Sequence, residues 1–359
     1  MAACGRCEVL PGAMPSEGTL YLVPPIDPVA RGLRQFLEST GARFSEPYPG
    51  IYAIVLEDGA LAALCGGFLC GLGEAEQRDT RSLIVEPGAT PSIQELVQMQ
   101  SLAALLARFQ GQWLVEVLKA GRITSHFQPI VSCEDPGEVH GHECLLRGFE
   151  ADGTLVAPGR MFDVARRGDL LFYLDRAARI SAIESASRAG LEGKLFINFN
   201  PTSIYTPEYC LQTTLQAISA AGISHESIVF EVVESDEVKD TGHLVKVVEF
   251  YRAKGFRVAL DDLGAGYSSL SLLHRLRPDY IKIDMEIARG VHEDPYKARV
   301  ASTILDMARD LGMLTIAEGV ETEGEHQWFR RNGADLAQGY LFGKPSPGGI
   351  RDASRARGA

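Results

Sequence analysis

Residues 228–318 decide the fold, because this stretch repeats one pattern four times. A short apolar run ends in a charged residue, and a segment of helical length follows most of these runs. The four runs are Ile228-Val229-Phe230-Glu231, Val258-Ala259-Leu260-Asp261-Asp262, Tyr280-Ile281-Lys282-Ile283-Asp284 and Thr315-Ile316-Ala317-Glu318. Short, continuously apolar strands that alternate with helices are typical of a mostly parallel sheet with both faces covered.

The same alternation extends in both directions from this stretch. Further apolar runs lie at 126–131, 143–146, 195–199 and 336–341, and helix-length segments lie at 161–189, 207–221, 240–254, 296–311 and 321–332. About eight strand–helix units in roughly 240 residues indicate a TIM-type (β/α)₈ barrel rather than an open sheet.

The residues before the barrel form a separate unit in this interpretation. We expect a small α/β domain of sensory or regulatory function at 1–95, a connecting helix at 96–120, the barrel at 121–350 and a tail at 351–359. Within the first domain, strands are predicted at 19–23, 51–56 and 81–85 and a helix at 28–40. A hairpin is predicted to join 51–56 to 61–64 through Glu57-Asp58-Gly59. The alternative for 92–120 is a first packing helix of the barrel domain.

Composition excludes several classes of function. The 359 residues carry a net charge of −12, which disfavours binding to a long nucleic-acid backbone or to anionic lipid. No apolar run is long enough to span a membrane, and no basic start precedes an apolar leader, so we expect a cytoplasmic protein. The seven cysteines are scattered, as is typical of reduced thiols.

Four of these cysteines lie in the N-terminal domain. Cys4 and Cys7 have the spacing of a metal-binding or redox pair, and with Cys65 and Cys70 they would complete a four-thiolate Zn²⁺ site. A zinc site, a redox pair and no role at all remain the three alternatives.

Polar residues end the predicted barrel strands: Asn198, Glu231, the Asp261–Asp262 pair, Lys282 and Glu318. The carboxyl ends of barrel strands meet at one rim, so these side chains should share a pocket. Crowded carboxylates repel each other unless a hard divalent cation neutralises them. The adjacent aspartates could serve two metals ~3.5–4 Å apart, an arrangement suited to in-line phosphoryl displacement. Lys282 would hold the nucleophile or a phosphate oxygen.

Six ordered motifs over roughly 110–350 carry a family resemblance. They are His126-Phe127-Gln128-Pro129-Ile130-Val131, Glu143-Cys144-Leu145-Leu146-Arg147, Asp261-Asp262-Leu263-Gly264-Ala265-Gly266-Tyr267-Ser268-Ser269-Leu270, Lys282-Ile283-Asp284, Ala317-Glu318-Gly319-Val320-Glu321-Thr322, and Gln338-Gly339-Tyr340 running to Lys344-Pro345. Together they resemble the EAL family of cyclic di-GMP phosphodiesterases, enzymes of bacterial second-messenger signalling. The resemblance implies a modified (β/α)₈ barrel with one antiparallel strand.

The resemblance also implies roles for individual residues. Glu143, Asn198, Glu231 and Asp261 would bind a first Mg²⁺ or Mn²⁺ ion, and Asp261 would bridge to a second ion held by Asp262 and Glu318. Lys282, Glu318 and Glu143 would be the catalytic residues, with Lys282 on the attacking water and Glu318 as a general base. Gln128, Arg147 and Gln338 would lie on the substrate side, and Glu234, Asp284 and Glu321 would support the site or brace its loop.

Two residues depart from the family pattern. Cys144 occupies the middle of the name-giving motif, and Ala265 stands where the loop usually has threonine. Because every expected metal-binding position is filled, we expect an active enzyme that opens cyclic di-GMP to linear pGpG. The alternatives are a receptor that binds cyclic di-GMP without cutting it and signals through the N-terminal domain, and a phosphodiesterase for another nucleotide. A homodimer and a protein partner of the N-terminal domain are further expectations.

Overall fold

The computed structural model describes residues 10–57, 59–232, 240–263 and 269–350. These residues form two compact units. The N-terminal unit comprises 10–121 and 159–171, and the barrel unit comprises 122–158 and 172–350.

The N-terminal unit is built on a five-stranded antiparallel sheet. Its strands are β1 (Gly18–Val23), β2 (Phe44–Tyr48), β3 (Ile51–Leu56), β4 (Arg81–Val85) and β5 (Gln100–Ser101), in the order β2-β3-β1-β4-β5. Its helices are α1 (Asp27–Thr40), α2 (Ala60–Gly71), α3 (Glu74–Asp79), α4 (Ile93–Val97), α5 (Leu102–Gln110), α6 (Gln112–Lys119) and most of α7 (Pro158–Arg167).

The predicted hairpin at 51–64 is wrong, because its second half is helical. Residues 61–64 lie in α2, which buries Leu61, Leu64, Cys65 and Phe68. These four positions have the i, i+3, i+4, i+7 spacing of one helix face, and the segment is rich in alanine, the residue with the highest helix propensity. Gly59, which the sequence predicts in a hairpin turn, instead precedes the first residue of α2.

The helical stretch predicted at 92–120 is divided into three helices. Ser92 caps α4, the β5 strand interrupts the segment at Gln100–Ser101, and Ser101 caps α5 by accepting a hydrogen bond from the Ala104 amide. A further break falls at Gly111, between α5 and α6. Serine caps satisfy backbone N–H groups at a helix start, which explains the two serine-marked boundaries.

The barrel unit contains the remaining elements. Its strands are β6 (Ile123–Ser132), β7 (Val139–Phe149), β8 (Leu155–Val156), β9 (Lys194–Phe199), β10 (Ile228–Val232), β11 (Arg257–Leu263), β12 (Tyr280–Ile283), β13 (Leu314–Ala317) and β14 (Leu336–Gln338). Its helices are α8 (Leu171–Ala189), α9 (Pro207–Cys210), α10 (Gln212–Ala221), α11 (Thr241–Ala253), α12 (Ser269–Leu276), α13 (Met285–Ala288), α14 (Pro295–Leu311) and α15 (Glu323–Arg331), with 3₁₀ turns at Pro201–Ser203 and His225–Ser227.

Eight strands close into a barrel, which confirms the barrel prediction. The order is β6-β14-β13-β12-β11-β10-β9-β7, and β7 pairs back onto β6. Strand β6 is antiparallel to both of its neighbours, whereas the other barrel neighbours are parallel. The short β8 adds to β7 outside this ring of eight.

The barrel interior contains an apolar ring to which seven strands contribute one buried residue each. We call this set the apolar ring: Ile130, Phe196, Val229, Ala259, Tyr280, Ile316 and Leu336. The opposite strand faces pack against the helices, for example through Phe230 with Tyr251. Among the described residues, no helix combines the length and the apolar character that a membrane crossing needs.

Candidate active site

In each of these seven strands, the residue two positions from the apolar-ring residue is polar; in β13 this residue, Glu318, directly follows the end of the strand. Side chains two apart in a strand share a face, so this second set also faces the barrel interior. We call it the polar ring: Gln128, Asn198, Glu231, Asp261, Lys282, Glu318 and Gln338, completed by Glu143 on β7. In β6 the polar residue comes before the apolar one, because that strand is antiparallel to its neighbours.

Lys282 lies at the centre of the polar ring. Its side chain is 1% exposed, and its Nζ lies 2.6 Å from Glu318 Oε1, 2.9 Å from Glu231 Oε1 and 3.0 Å from Asp261 Oδ1. Glu143 Oε2 is 3.7 Å away. Burial disfavours the ammonium form, but the surrounding carboxylates outweigh it and hold the pKa of Lys282 well above its usual value. This lysine is therefore charged at any physiological pH.

One lysine does not balance four carboxylates. Glu231 is fully buried, and its Oε2 has no hydrogen-bond partner among the described residues. Burial raises the pKa of Glu231 and of Asp261, and the charge of Glu143 adds to both shifts against the opposing effect of Lys282. Burial also raises the pKa of Glu318 to about 8. A buried oxygen without a partner and an excess of negative charge are properties of a site for a hard cation.

A backbone irregularity brings the two aspartates together. Consecutive strand residues normally face opposite sides, but the register between β11 and β12 shifts between Leu260 and Leu263, and Asp262 has a positive φ of 55°. The Asp262 amide donates to Asp261 Oδ1 at 3.1 Å. As a result, carboxylate oxygens of Asp261, Asp262 and Glu318 all lie within 4.8 Å of one another. Burial and the Asp261 charge raise the pKa of Asp262 to about 6.

Two side-chain amides donate to Glu143, and a third is hydrogen-bonded to one of them. Asn198 Nδ2 donates to Glu143 Oε1 at 3.1 Å, and Gln338 Nε2 donates to Glu143 Oε2 at 2.6 Å. The same Gln338 nitrogen donates to Gln128 Oε1 at 3.1 Å. These bonds fix the orientation of the Glu143 carboxylate.

Three other predicted residues lie beside the polar ring. The half-buried Arg147 donates to the Leu146 carbonyl at 2.8 Å, and burial lowers its pKa. Asp284 caps α13 by accepting from the Glu286 amide at 2.7 Å. Glu321 forms an ion pair with Arg289. Glu234 and Ala265 lie outside the described residues.

Residues that strand-end reasoning did not single out line the adjacent pocket. The pocket contains Gln128, Glu143, Glu318, Glu321 and Gln338 together with Met285, Arg289, Gly319, Gly339 and Tyr340. Met285 and Arg289 belong to the segment around α13, after the strand, and carry no strand-end signal. Tyr340 belongs to the Gln338-Gly339-Tyr340 motif and could be found in the sequence through it. Lys344 Nζ lies 5.4 Å from the centre of the Tyr340 ring.

Comparison with known proteins identifies the domain. A family model described as the EAL domain matches residues 111–345. The chain belongs to the EAL-domain family. It is 32% identical over 238 residues to the probable cyclic di-GMP phosphodiesterase PdeG of Escherichia coli K12, and 31% identical over 240 residues to the cyclic di-GMP phosphodiesterase NbdA of Pseudomonas aeruginosa. Each alignment covers 65% of this chain but only 46% and 30% of those relatives, so the chain spans less than half of their length.

Solved EAL structures share the barrel. A standalone versatile EAL protein from Vibrio cholerae O395 in its c-di-GMP-bound form matches with a TM-score of 0.59 and 36% identity, over 66% of this chain and 98% of that one. The manganese/cy-diGMP complex of Klebsiella pneumoniae BlrP1 matches over 92% of this chain and 96% of that one, with a TM-score of 0.57 and 24% identity. The second likeness shows a shared fold.

The cysteines of the predicted zinc site do not converge where the structure describes them. Cys65 is buried in the core of the N-terminal unit and Cys70 is exposed, five residues later in α2. Burial raises the pKa of the Cys65 thiol to about 11, which disfavours the thiolate that binds zinc. Cys4 and Cys7 lie outside the described residues. Cys144, next to Glu143, is buried in the core on the opposite strand face.

Proposed function

We propose that the barrel is a metal-dependent phosphodiesterase that hydrolyses cyclic di-GMP to linear pGpG. The observation that carries the proposal is the polar ring, in which one buried lysine faces four carboxylates, and one of these has a buried oxygen without a partner in the part of the chain that the structure describes. The names of the related phosphodiesterases and the c-di-GMP-bound form of the Vibrio protein support the substrate.

The donor set fits hard divalent cations. We assign Glu143, Asn198, Glu231 and Asp261 to one Mg²⁺ or Mn²⁺ ion, and Asp261, Asp262 and Glu318 to a second, because all of their donors are oxygens. Two such ions, when bound, activate a water molecule and stabilise negative charge on the phosphoryl group.

The chain's own residues then have distinct tasks. Lys282, which stays charged, holds the attacking oxygen by donating a hydrogen bond, and Glu318 accepts the proton of the water. Gln128, Arg147 and Gln338 bind the dinucleotide on the pocket side. Glu234 braces the loop at 262–269, while Asp284 and Glu321 hold the segments around α13 and after β13.

We further propose that the N-terminal unit regulates the barrel through residues 96–120. The signal would come from a protein partner of the N-terminal unit or from formation of a homodimer through the barrels. We place the protein in the cytoplasm. The likeness to BlrP1 over 92% of the chain supports a shared fold. Because Cys65 is buried, zinc binding by the N-terminal cysteines would require a rearrangement of α2.

Chromatographic detection of pGpG tests the main proposal. The full chain is incubated with cyclic di-GMP and Mg²⁺ or Mn²⁺, with EDTA and the Glu143→Gln variant as controls. The expected result is metal-dependent pGpG that disappears with EDTA and is strongly reduced in Glu143→Gln. Tight binding of cyclic di-GMP without product at any metal concentration would instead identify a receptor, and turnover of other nucleotides alone would identify a different substrate.

A further inference from the structure

The segment after the last barrel strand lies along β6 beside the polar ring. Phe127 N donates to the Ser346 carbonyl at 2.8 Å, and Ser346 N donates to the Phe127 carbonyl at 3.1 Å. This two-bond antiparallel bridge is next to Gln128 in the chain. Of its two residues, only Ser346 lies past residue 345, where the EAL family match ends. We call residues 343–350 the C-terminal strap.

A second anchor joins the strap to β7. The Ile350 carbonyl lies 2.9 Å from His142 Nε2, and His142 precedes Glu143 in the chain. Between the two anchors, the Gly349 amide donates to the Ser346 carbonyl, which closes a turn. The strap is thus fixed next to two members of the polar ring, Gln128 and Glu143.

The strap also contacts the polar ring directly. Gln128 Nε2 donates to the Gly343 carbonyl at 3.3 Å, while Gln128 Oε1 accepts from Gln338 Nε2. A backbone carbonyl only accepts hydrogen bonds, so it selects the orientation of Gln128 in which the NH₂ group faces the strap. The amide oxygen of Gln128 is then directed to Gln338.

This selection passes on to the second amide. Gln338 must present its NH₂ group to two acceptors, the Gln128 amide oxygen and the Glu143 carboxylate. Its own Oε1 is buried and has no partner among the described residues, although Gln338 lines the pocket and is 4% exposed. Buried acceptors are almost always satisfied, so this oxygen is available to a donor group of a bound molecule.

We propose that the C-terminal strap is a positioning element of the site: its Gly343 carbonyl orients the amides of Gln128 and Gln338, which holds Glu143 and leaves the Gln338 oxygen as an acceptor for ligand. This proposal rests on the proposed function only where it is tested by the rate of cyclic di-GMP hydrolysis. The hydrogen-bond chain runs from the strap to a carboxylate of the polar ring without a gap.

The Ser346→Pro variant breaks the bridge, and Ser346→Ala is its matched control. Proline removes the amide that donates to Phe127, whereas alanine keeps it. We expect Ser346→Pro to lower kcat/KM for cyclic di-GMP about 5- to 30-fold, the effect of one or two lost hydrogen bonds, and Ser346→Ala to leave it unchanged.

The side-chain amide signals of Gln128 and Gln338 in ¹H–¹⁵N spectra of the full chain provide a readout that is independent of turnover. They should shift or broaden in Ser346→Pro and stay in place in Ser346→Ala. Unchanged amide signals in the proline variant overturn the proposal, whatever the kinetics show. A parent that makes no pGpG contradicts the proposed function, and the amide signals still decide the role of the strap.

If the proline variant does not fold, Gly343→Ala takes its place. A methyl group at Gly343 would lie 3.1 Å from Pro129 Cγ and still closer to the end of the Ile350 side chain, so it crowds the strap against β6 and displaces Ile350. The same shift of the two amide signals supports the proposal, and its absence in a folded variant overturns it.

Discussion

The polar and apolar rings of the barrel differ in chemistry although seven of the eight barrel strands contribute to both. Phe196 and Asn198, or Tyr280 and Lys282, lie two residues apart on one strand face. The apolar ring fills the interior with side chains that bury no charge. The polar ring brings four carboxylates around one ammonium group. The comparison shows that residues for stability and residues for chemistry lie only two positions apart on the same strand faces. Substitutions in one ring can therefore be compared with substitutions in the other.

The largest expected effect is on turnover, from the centre of the polar ring. Lys282→Met keeps the length of the side chain and removes its charge, so we expect pGpG formation to fall about 10²- to 10³-fold. Chromatographic rates at saturating Mn²⁺ measure it. Glu143→Gln, the paired variant, should lose activity through weaker metal binding, so raising the metal concentration should restore part of its rate and none of that of Lys282→Met. Equal rescue of both variants would contradict the separate roles.

The apolar ring should respond in the opposite way. Phe196 is fully buried and its ring lies 5.1 Å from that of Tyr280, so Phe196→Ala should cost about 3–5 kcal/mol of unfolding free energy. Urea titration followed by circular dichroism measures this loss. Phe196→Leu, the matched control, should cost less unfolding free energy than Phe196→Ala, because it leaves a smaller cavity, and keep the metal affinity of the parent. A Phe196→Leu variant with normal stability but no metal binding would show that the two rings are not separable.

The pH dependence of stability should distinguish metal-free from metal-bound protein. The pKa of Asp262 is raised to about 6 and that of Glu318 to about 8 in the folded chain, whereas both carboxyls have a pKa of about 4 when unfolded, so the folded metal-free chain binds more protons than the unfolded chain between about pH 4 and 8. Its stability therefore falls as pH rises from about 4 to 8. Bound Mn²⁺ favours the ionised carboxylates and should remove or reverse this slope. Differential scanning fluorimetry with and without Mn²⁺ measures both slopes, and parallel slopes would contradict the prediction.

The smallest expected change in stability comes from removing one charge of the aspartate pair. Asp262→Asn keeps a residue that tolerates positive φ and removes a carboxylate whose pKa Asp261 raises. Metal-free stability should rise by up to about 1 kcal/mol while turnover is lost. Asp262→Val, a β-branched residue unsuited to this backbone, should instead destabilise the chain. Thermal melting of both variants without metal tests the predicted increase in stability for Asp262→Asn and the predicted decrease for Asp262→Val.

Much of the polar ring could be predicted from the sequence, because parallel strands end at one rim. Glu231, Asp261, Lys282 and Glu318 follow directly from that rule. Gln128 does not, since it precedes its apolar neighbour on the antiparallel β6 and was found through motif resemblance. The convergence of Asp261 and Asp262 depends on a register shift that no local pattern specifies.

The N-terminal unit was less predictable for a different reason. Residues 61–64 are apolar and follow a glycine turn, which suits a strand, yet the buried positions of α2 continue to Phe68 at helical spacing. Residues 61–64 alone favour a strand, and only the spacing of buried residues up to Phe68 distinguishes a helix from a strand. The strap contacts were also invisible in the sequence, because they join residues more than 200 positions apart.

Mn²⁺ binding to the polar ring tests the central claim most directly. The parent chain and the Asp261→Asn variant, stripped with chelator, are titrated with Mn²⁺ and the free ion is followed by electron paramagnetic resonance. The parent should bind two ions, and Asp261→Asn, which loses the carboxylate assigned to both, should lose measurable binding at the same concentrations. Equal Mn²⁺ binding by the two proteins would contradict a metal site in the polar ring.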